Sequence, residues 1–331
     1  MAPAFRACVV TVALACAIAP AGAPAGAQAA RVGSPVVSPV VARADSLLAQ
    51  GEVARAETLY YAASRRNTAD FSARSALGRY LASRGAFKIG AELLAEAVKF
   101  GADTTASARL RAPALQAADV WDLLAKLPRS PLTTAERARA TWLAANAPAA
   151  SGADSVTVAY EPSSVSGLGR IDLVVGTDTL AADIDPNVDE LVLGDYAHYA
   201  ALVQVFSGAA GDRVAVLRRA SIGDLVLERV PARVDQRLGP ARARIGLTLL
   251  AKFAPTVDAG AGVLTLRREG RVGPSLGRRR VALLFTFPGV SIARPGRLVP
   301  IESPAGRAVL AEARWTLDVR RGELVLEVDA R

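Results

Sequence analysis

Between residues 42 and 145, apolar side chains recur at helical spacing in segments rich in alanine and leucine. That rhythm puts one face of each segment against a core and predicts amphipathic helices. After about residue 155 the rhythm changes to a period of two, as in Ile171-Asp-Leu-Val-Val175. Alternation of that kind predicts strands with one buried face. The switch falls at Asn146-Ala-Pro-Ala-Ala-Ser-Gly152, a small, turn-prone segment that reads as a domain boundary. The pattern therefore predicts a multidomain α + β chain, helical over 42–145 and mainly β after about residue 155.

The helical part repeats itself. Gly51, Ala56, Tyr60 and Ala63 recur as Gly85, Gly90, Leu94 and Ala97, each pair 34 residues apart. The first glycine of each set suits a tight turn between helices. The next small residue lets two helices approach, and the large one fills the groove that results. Leu77, Gly78 and Leu81 add the same alternation of small and large to the preceding helix. This pattern resembles tetratricopeptide repeats, with two copies over roughly residues 42–103, although the proline that usually closes each repeat is absent. Residues 105–145 continue as helices, with Trp121 and Trp142 as core or capping residues that cover the ends of the array. Such a domain serves either as a spacer for its neighbour or as a concave surface for a peptide or protein. Tyr60 and Tyr61 are expected to pack rather than to touch a ligand.

In the β part, Gly176-Thr-Asp178 turns the first strand back into Thr179–Ile184. Asp185-Pro-Asn-Val-Asp-Glu-Leu-Val-Leu193 follows. Phe206-Ser-Gly-Ala-Ala-Gly-Asp-Arg-Val214 then places small residues in a turn, and Ile222–Pro231 reads as a hairpin. Ile245-Gly246 enters a short helix, and Val257–Leu266 is a hairpin with a glycine-rich tip. That order, over about residues 168–268, resembles the single-domain retropepsin-like aspartic proteases of bacteria. The resemblance implies an acid-protease-like barrel over 155–270, with residues 271–331 as a β extension on the same sheet system. It also implies a catalytic carboxylate on an Asp-Thr-Gly-Ala loop, a flap of small residues, and a dimer that brings two carboxylates together to share one proton.

Here the loop reads Asp185-Pro186-Asn187-Val188. Asp185 is the candidate catalytic residue. Pro186 replaces the bracing hydroxyl, Asn187 replaces the glycine, and Val188 is bulkier than alanine. Arg244 stands before Ile245-Gly246, where the family carries an apolar residue, and a guanidinium beside the pair disfavours the shared proton. The candidate cleft and flap residues are Asn187, Gly208, Gly211, Arg244 and Gly246. Asp183, Asp189 and Asp195 are expected to face solvent, and their irregular spacing makes a poor metal cluster. His198, the only histidine, is expected to be an ordinary helix or loop residue. It leaves no His pair for a metal, and the resemblance offers no serine elbow for a Ser–His–Asp mechanism. No glycine-rich phosphate loop is found, so no cofactor is expected.

Three functions stay open. The first is an impaired protease-like protein that binds peptide or protein through the repeats, the cleft or both. The second is an active dimeric aspartic endopeptidase using Asp185. The third is a structural envelope scaffold.

Beyond the protease-like unit, Val281–Phe287, Gly296–Ile301, Ala313–Val319 and Glu323–Val328 predict further strands. They could cover an edge that retropepsins use to dimerise, which would favour a monomer, or they could be the remnant of a second lobe. Charge alters this picture little. The chain of 331 residues carries a formal +9, and only four of its 40 basic residues are lysine. The basic residues are dispersed, and Arg278-Arg279-Arg280 reads as a solvated strand end rather than a nucleic-acid motif.

The N-terminus does alter the picture. Arg6, the apolar stretch Ala7–Ala19 and the small residues of 21–30 predict a signal peptide over 1–29, followed by a linker over 30–41. Cleavage there removes Cys8 and Cys16, the only cysteines, and implies a periplasmic or secreted protein without disulfides. No later stretch is long and apolar enough for stable membrane insertion.

Overall fold

Helix α1 (Pro39–Ala49) opens the described part of the chain. The computed structural model describes residues 38–128, 131–162, 168–208, 213–268, 278–287, 289–311, 313–319 and 321–327. The expected signal peptide, most of the linker and Gly211 lie outside these residues. The helix starts at Pro39 rather than 42, because proline fits the first turn and Val41 is already buried.

Helices α2 (Val53–Arg66), α3 (Phe71–Ser83) and α4 (Phe87–Lys99) follow as two antiparallel hairpins, α1 with α2 and α3 with α4. Gly51 and Gly85 end the first helix of each hairpin with φ of +75° and +84°. The amides after those helices fold back on the last turn, Glu52 N–H onto Leu47 O at 2.9 Å and Ala86 N–H onto Leu81 O at 2.9 Å. Ala56 and Gly90, Tyr60 and Leu94, and Ala63 and Ala97 are all buried, so positions 34 residues apart have matching environments. Helix α5 (Thr104–Ala117) is capped by Asp103, α6 (Trp121–Ala125) is a single short turn, and α7 (Thr134–Ala145) starts with a Thr133–Glu136 capping box.

The strands form two sheets. The first contains β1 (Ala149–Gly152), β3 (Glu161–Pro162), β4 (Gly169–Val175), β5 (Asp178–Asp185), β6 (Leu191–Leu193), β7 (Val203–Ser207), β8 (Arg213–Ile222), β9 (Leu225–Val234) and β10 (Arg242–Gly246). Its order is β1-β9-β6-β10-β5-β4-β8-β7, with β3 beside β4. A β8–β9 ladder closes the path on itself, so the sheet is barrel-like. Strand β1 occupies the segment expected to be a boundary and pairs with β9.

The second sheet runs β15-β14-β13-β17-β16-β11-β12-β2. It takes β2 (Ser155–Ala159), β11 (Thr256–Asp258) and β12 (Val263–Arg267) from the expected protease-like unit. The rest of it is β13 (Arg278–Phe285), β14 (Val290–Arg294), β15 (Arg297–Pro300), β16 (Arg314–Asp318) and β17 (Glu323–Glu327). The extension thus shares a sheet with strands of that unit, and residue 270 is not a break between sheets. The Thr256 and Thr316 hydroxyls bond at 2.9 Å across the β11–β16 seam, which is fully buried. Two short helices, α8 (Leu247–Ala251) and α9 (Pro304–Ala311), complete the fold. Strand β14 and helix α9 are additions to the elements expected from the pattern.

The helical and β parts share a core. Phe87, Ala112, Leu115, Trp121 and Leu143 belong to the same buried cluster as Ile171, Leu191 and Ile245. A second cluster packs the first hairpin and α3 onto Leu284 of β13. Residues 37–331 accordingly form one compact unit.

Candidate functional site

Strand β5 runs parallel to β10 and ends at Asp185, level with Gly246. The chain then crosses the end of β10 and returns as β6, antiparallel to β10 on its other side. That crossing explains the Ile245-Gly246 signal. A Cβ on Gly246 would sit 2.2 Å from Val188 O and 2.7 Å from Asp189 C, both backbone atoms. Only glycine leaves room for the loop.

Asp185 spends its carboxylate within that loop. Oδ1 accepts from Asn187 N–H at 2.9 Å, an Asx turn, and Oδ2 lies 3.8 Å from Arg244 Nη1. Pro186 is buried while Asn187 is exposed. Four of the sequence-derived site residues, Asp185, Asn187, Arg244 and Gly246, thus come together. Gly208 does not join them. It ends β7 beside Ala135, where an added Cβ would lie 3.5 Å from the Ala135 side chain.

Two neighbouring acids depart from expectation. Asp183 is 15% exposed and is held by Arg170 Nε at 2.9 Å and Arg242 Nη2 at 2.7 Å, because it faces the basic side of β10. Asp189 is half-buried, in the cleft between the loop and α5. Burial, helped by the neighbouring Glu190 charge and opposed by Arg233, pushes its carboxyl up to about 6. Asp195 is exposed, as expected, and His198 lies exposed in a 3-10 turn, Ala197–Leu202. Among the described residues, no group of three or more His, Cys, Asp or Glu could hold a metal ion.

Pattern reading missed the charged cluster next to the loop. Glu190, 6% exposed, receives Arg139 Nη1 at 2.7 Å, Arg233 Nε at 2.8 Å and Gln116 Nε2 at 3.2 Å. Arg139 is 2% exposed and also donates to Ala232 O at 2.8 Å. Arg233 pairs in turn with Glu136. Burial alone would raise the Glu136 carboxyl, but its bonds from Thr133 and Arg233 hold it below the usual range. Burial alone would lower Arg233, but Glu190 and Glu136 outweigh it and raise it. The sequence did hold a signal: Ala135, Arg139 and Leu143 sit four apart on the buried face of α7, so a charge there must meet a partner.

The cluster borders a cleft of about 220 Å³ lined by Gln116, Asn187, Val188, Asp189, Glu190, Val192 and Arg233. A larger groove of about 420 Å³ lies on α1, α3 and α5, with Leu284–Phe287 and Leu298 of the β extension along one wall. Tyr60 and Tyr80 stack at its base with ring centres 5.0 Å apart, and Tyr60 donates to Asp45 Oδ1 at 2.5 Å. Burial raises both phenols well above the usual tyrosine range, with Asp45 adding to the effect at Tyr60 and Glu57 at Tyr80. Arg79, Arg109 and the 42%-exposed Leu110 flank the groove. Tyr60 is buried as expected, and Tyr61 is 36% exposed.

No protein-family profile matches the chain. No curated protein matches it either. Among solved structures, it is similar to a crystal structure of a retropepsin-like aspartic protease from Rickettsia conorii. That likeness has 15% identity and a TM-score of 0.26, and covers 36% of this chain and 93% of the protease. No residue role passes from that protease to this chain. Among the described residues, no helix is long and apolar enough to cross a membrane.

Proposed function

We propose that this chain is an exported binding protein in which an aspartic-protease-like barrel serves as scaffold and a peptide or protein segment is held in the helical groove. The observation that carries this reading is the engagement of Asp185. A carboxylate that accepts from its own loop at 2.9 Å and faces a guanidinium at 3.8 Å is poorly set to share a proton with a second carboxylate. The loop is also fastened to α5 and α7 through Glu190, on a flank that a symmetric partner would need. With β11 paired to β16 and β12 to β2, the final hairpin offers no free edge, which favours a monomer. The groove is lined by Leu48, Leu110, Leu284 and Leu298 with Arg109 beside them, which suits an extended segment carrying a bulky apolar residue next to an acid, while Arg79 pairs with Asp45 at 3.9 Å.

The active dimeric endopeptidase is the second reading, favoured by the position of Asp185 at a strand end over Gly246. One experiment separates them. A peptide library is incubated with the full chain between pH 3 and pH 7.5, with and without pepstatin, and products are read by mass spectrometry. We expect no cleavage above background, and Asp185→Asn should behave like the parent. Peptide retention should fall about tenfold or more in Leu110→Arg, which alters an exposed position and spares the core. Cleavage abolished by Asp185→Asn would replace the binding reading with the enzyme.

Export rests on the charged, apolar and small-residue sequence of residues 1–29. The mature chain recovered from a secreting host should begin close to Gln28 or Ala30. A chain that keeps Met1 would sink this part of the proposal.

A further inference from the structure

The cleft between the 185–190 loop and α5 has a charge pattern that the groove lacks. Its surroundings hold three carboxylates, Glu136, Glu190 and Asp189, against two guanidinium groups, Arg139 and Arg233. Both Glu136 and Glu190 are bonded to arginine. Asp189 has no hydrogen bond or ion pair among the described residues. The nearby Lys252 is occupied by both oxygens of Asp119, at 2.8 and 2.7 Å. Arg233 offsets the Asp189 charge only in part, so a chain with a formal +9 keeps a half-buried carboxylate without a direct ion pair at the wall of an open cleft. Leaving a buried carboxylate without a counter-charge is costly, and structures normally pair it.

A second observation points into the same place. Behind Asp189 lies an inner pocket of about 20 Å³ that shares Gln116, Asp189 and Glu190 with the cleft. Trp121 lines this pocket, is 2% exposed, and its Nε1–H has no hydrogen-bond partner. The volume suits one water-sized polar group. The site thus pairs an acceptor that lacks a cation with a donor that lacks an acceptor, between the apolar walls of Val188 and Val192.

We propose that this cleft is a second binding site, taking a single cationic group, an ammonium or a guanidinium, onto the Asp189 carboxylate. The inner pocket then accepts a carbonyl oxygen or bridging water on the Trp121 indole N–H. The proposal does not depend on peptide binding in the groove, which borders the inner pocket at Pro113 and Phe287 but shares no residue with the cleft.

The pH dependence follows from the groups around Asp189. Glu190 raises it, Arg233 lowers it, and burial dominates, so the carboxyl ionises near pH 6. Glu136, Arg139 and Lys252 stay paired. Only the ionised acid attracts a cation, so affinity should rise about tenfold between pH 5 and pH 7.5.

The test is calorimetric titration of the full chain with agmatine, with the blocked peptide acetyl-Gly-Arg-Gly-amide, and with its neutral citrulline counterpart. We expect the arginyl peptide to bind at least about tenfold more tightly than the citrullinyl one. Asp189→Asn should abolish that preference and the pH dependence together. The variant removes an unpaired charge, so it should fold with a melting temperature at least equal to the parent's at pH 7.5. Binding of the arginyl peptide and agmatine together supports a cationic group free or on a larger partner, and binding of agmatine without the arginyl peptide limits the site to a small free cation. Absence of titration by either cation, or equal titration of Asp189→Asn, overturns the proposal. Leu110→Arg should leave this titration unchanged, which separates its failure from a failure of the groove reading.

Discussion

Arg139→Ala is expected to lower the free energy of unfolding by about 3–5 kcal/mol, among the largest single-residue effects in the molecule. Arg139 and Glu190 are 2% and 6% exposed, and their contact at 2.7 Å joins α7 to the start of β6. Removing the guanidinium strands Glu190 in a buried site with only Arg233 and Gln116. It also leaves Ala232 O without its donor. The pair is nevertheless weak evidence of net stabilisation, because both ions were taken out of water. A double replacement, Arg139→Met with Glu190→Leu, should therefore recover most of the loss. Urea denaturation of the two variants measures both numbers. A single variant within about 0.5 kcal/mol of the parent would show that the network is not buried in solution. Glu190 lies five residues beyond Asp185, so the single variant should also speed hydrogen exchange at the Asn187 and Val188 amides.

The legible parts of the fold were those set by local periodicity. Helical spacing marked 42–145 as helical, and the repeat put Gly51 and Gly85 in tight turns, where their φ is positive. Ile245-Gly246 and Asp185-Pro186-Asn187-Val188 were found from order and spacing, and the two segments do lie side by side. What was illegible depends on which surfaces meet. Nothing local in Thr256 or Thr316 indicates that they bond to each other, so the pattern put the extension on the same sheet system without showing which strands join it. Asp189 looked like a solvated acid because its burial comes from α5, some seventy residues earlier in the chain. Arg139 was readable in principle, as a charge on an apolar helix face, but its partner was not. Edge cover and a second-lobe remnant were both open for the β extension. It pairs with β11 through β16 and also docks on the turns of the helical hairpins.

That docking gives the second large effect. In Gly85→Ala two penalties combine. Alanine at φ +84° is strained whatever its surroundings, and its Cβ would lie 2.3 Å from Val319 O, at the end of β16. Arg84 beside it donates to the carbonyls of Leu283, Arg321 and Gly322, so the turn cannot simply lift away. Gly296 separates the two terms, since it has the same φ of +84° with nothing within 4 Å of an added Cβ. Gly296→Ala should cost about 1–2 kcal/mol from backbone strain alone. Gly85→Ala should cost at least about 2 kcal/mol more, the price of overpacking against backbone. Equal losses in the two variants, measured by urea denaturation, would show that the turn does not rest on β16. The same contact sets the groove, because β13 and β15 supply Leu284, Phe285 and Leu298 to it. A shift of the α3–α4 turn that still permits folding should therefore weaken peptide retention in the groove while leaving the Asp189 cleft unaffected.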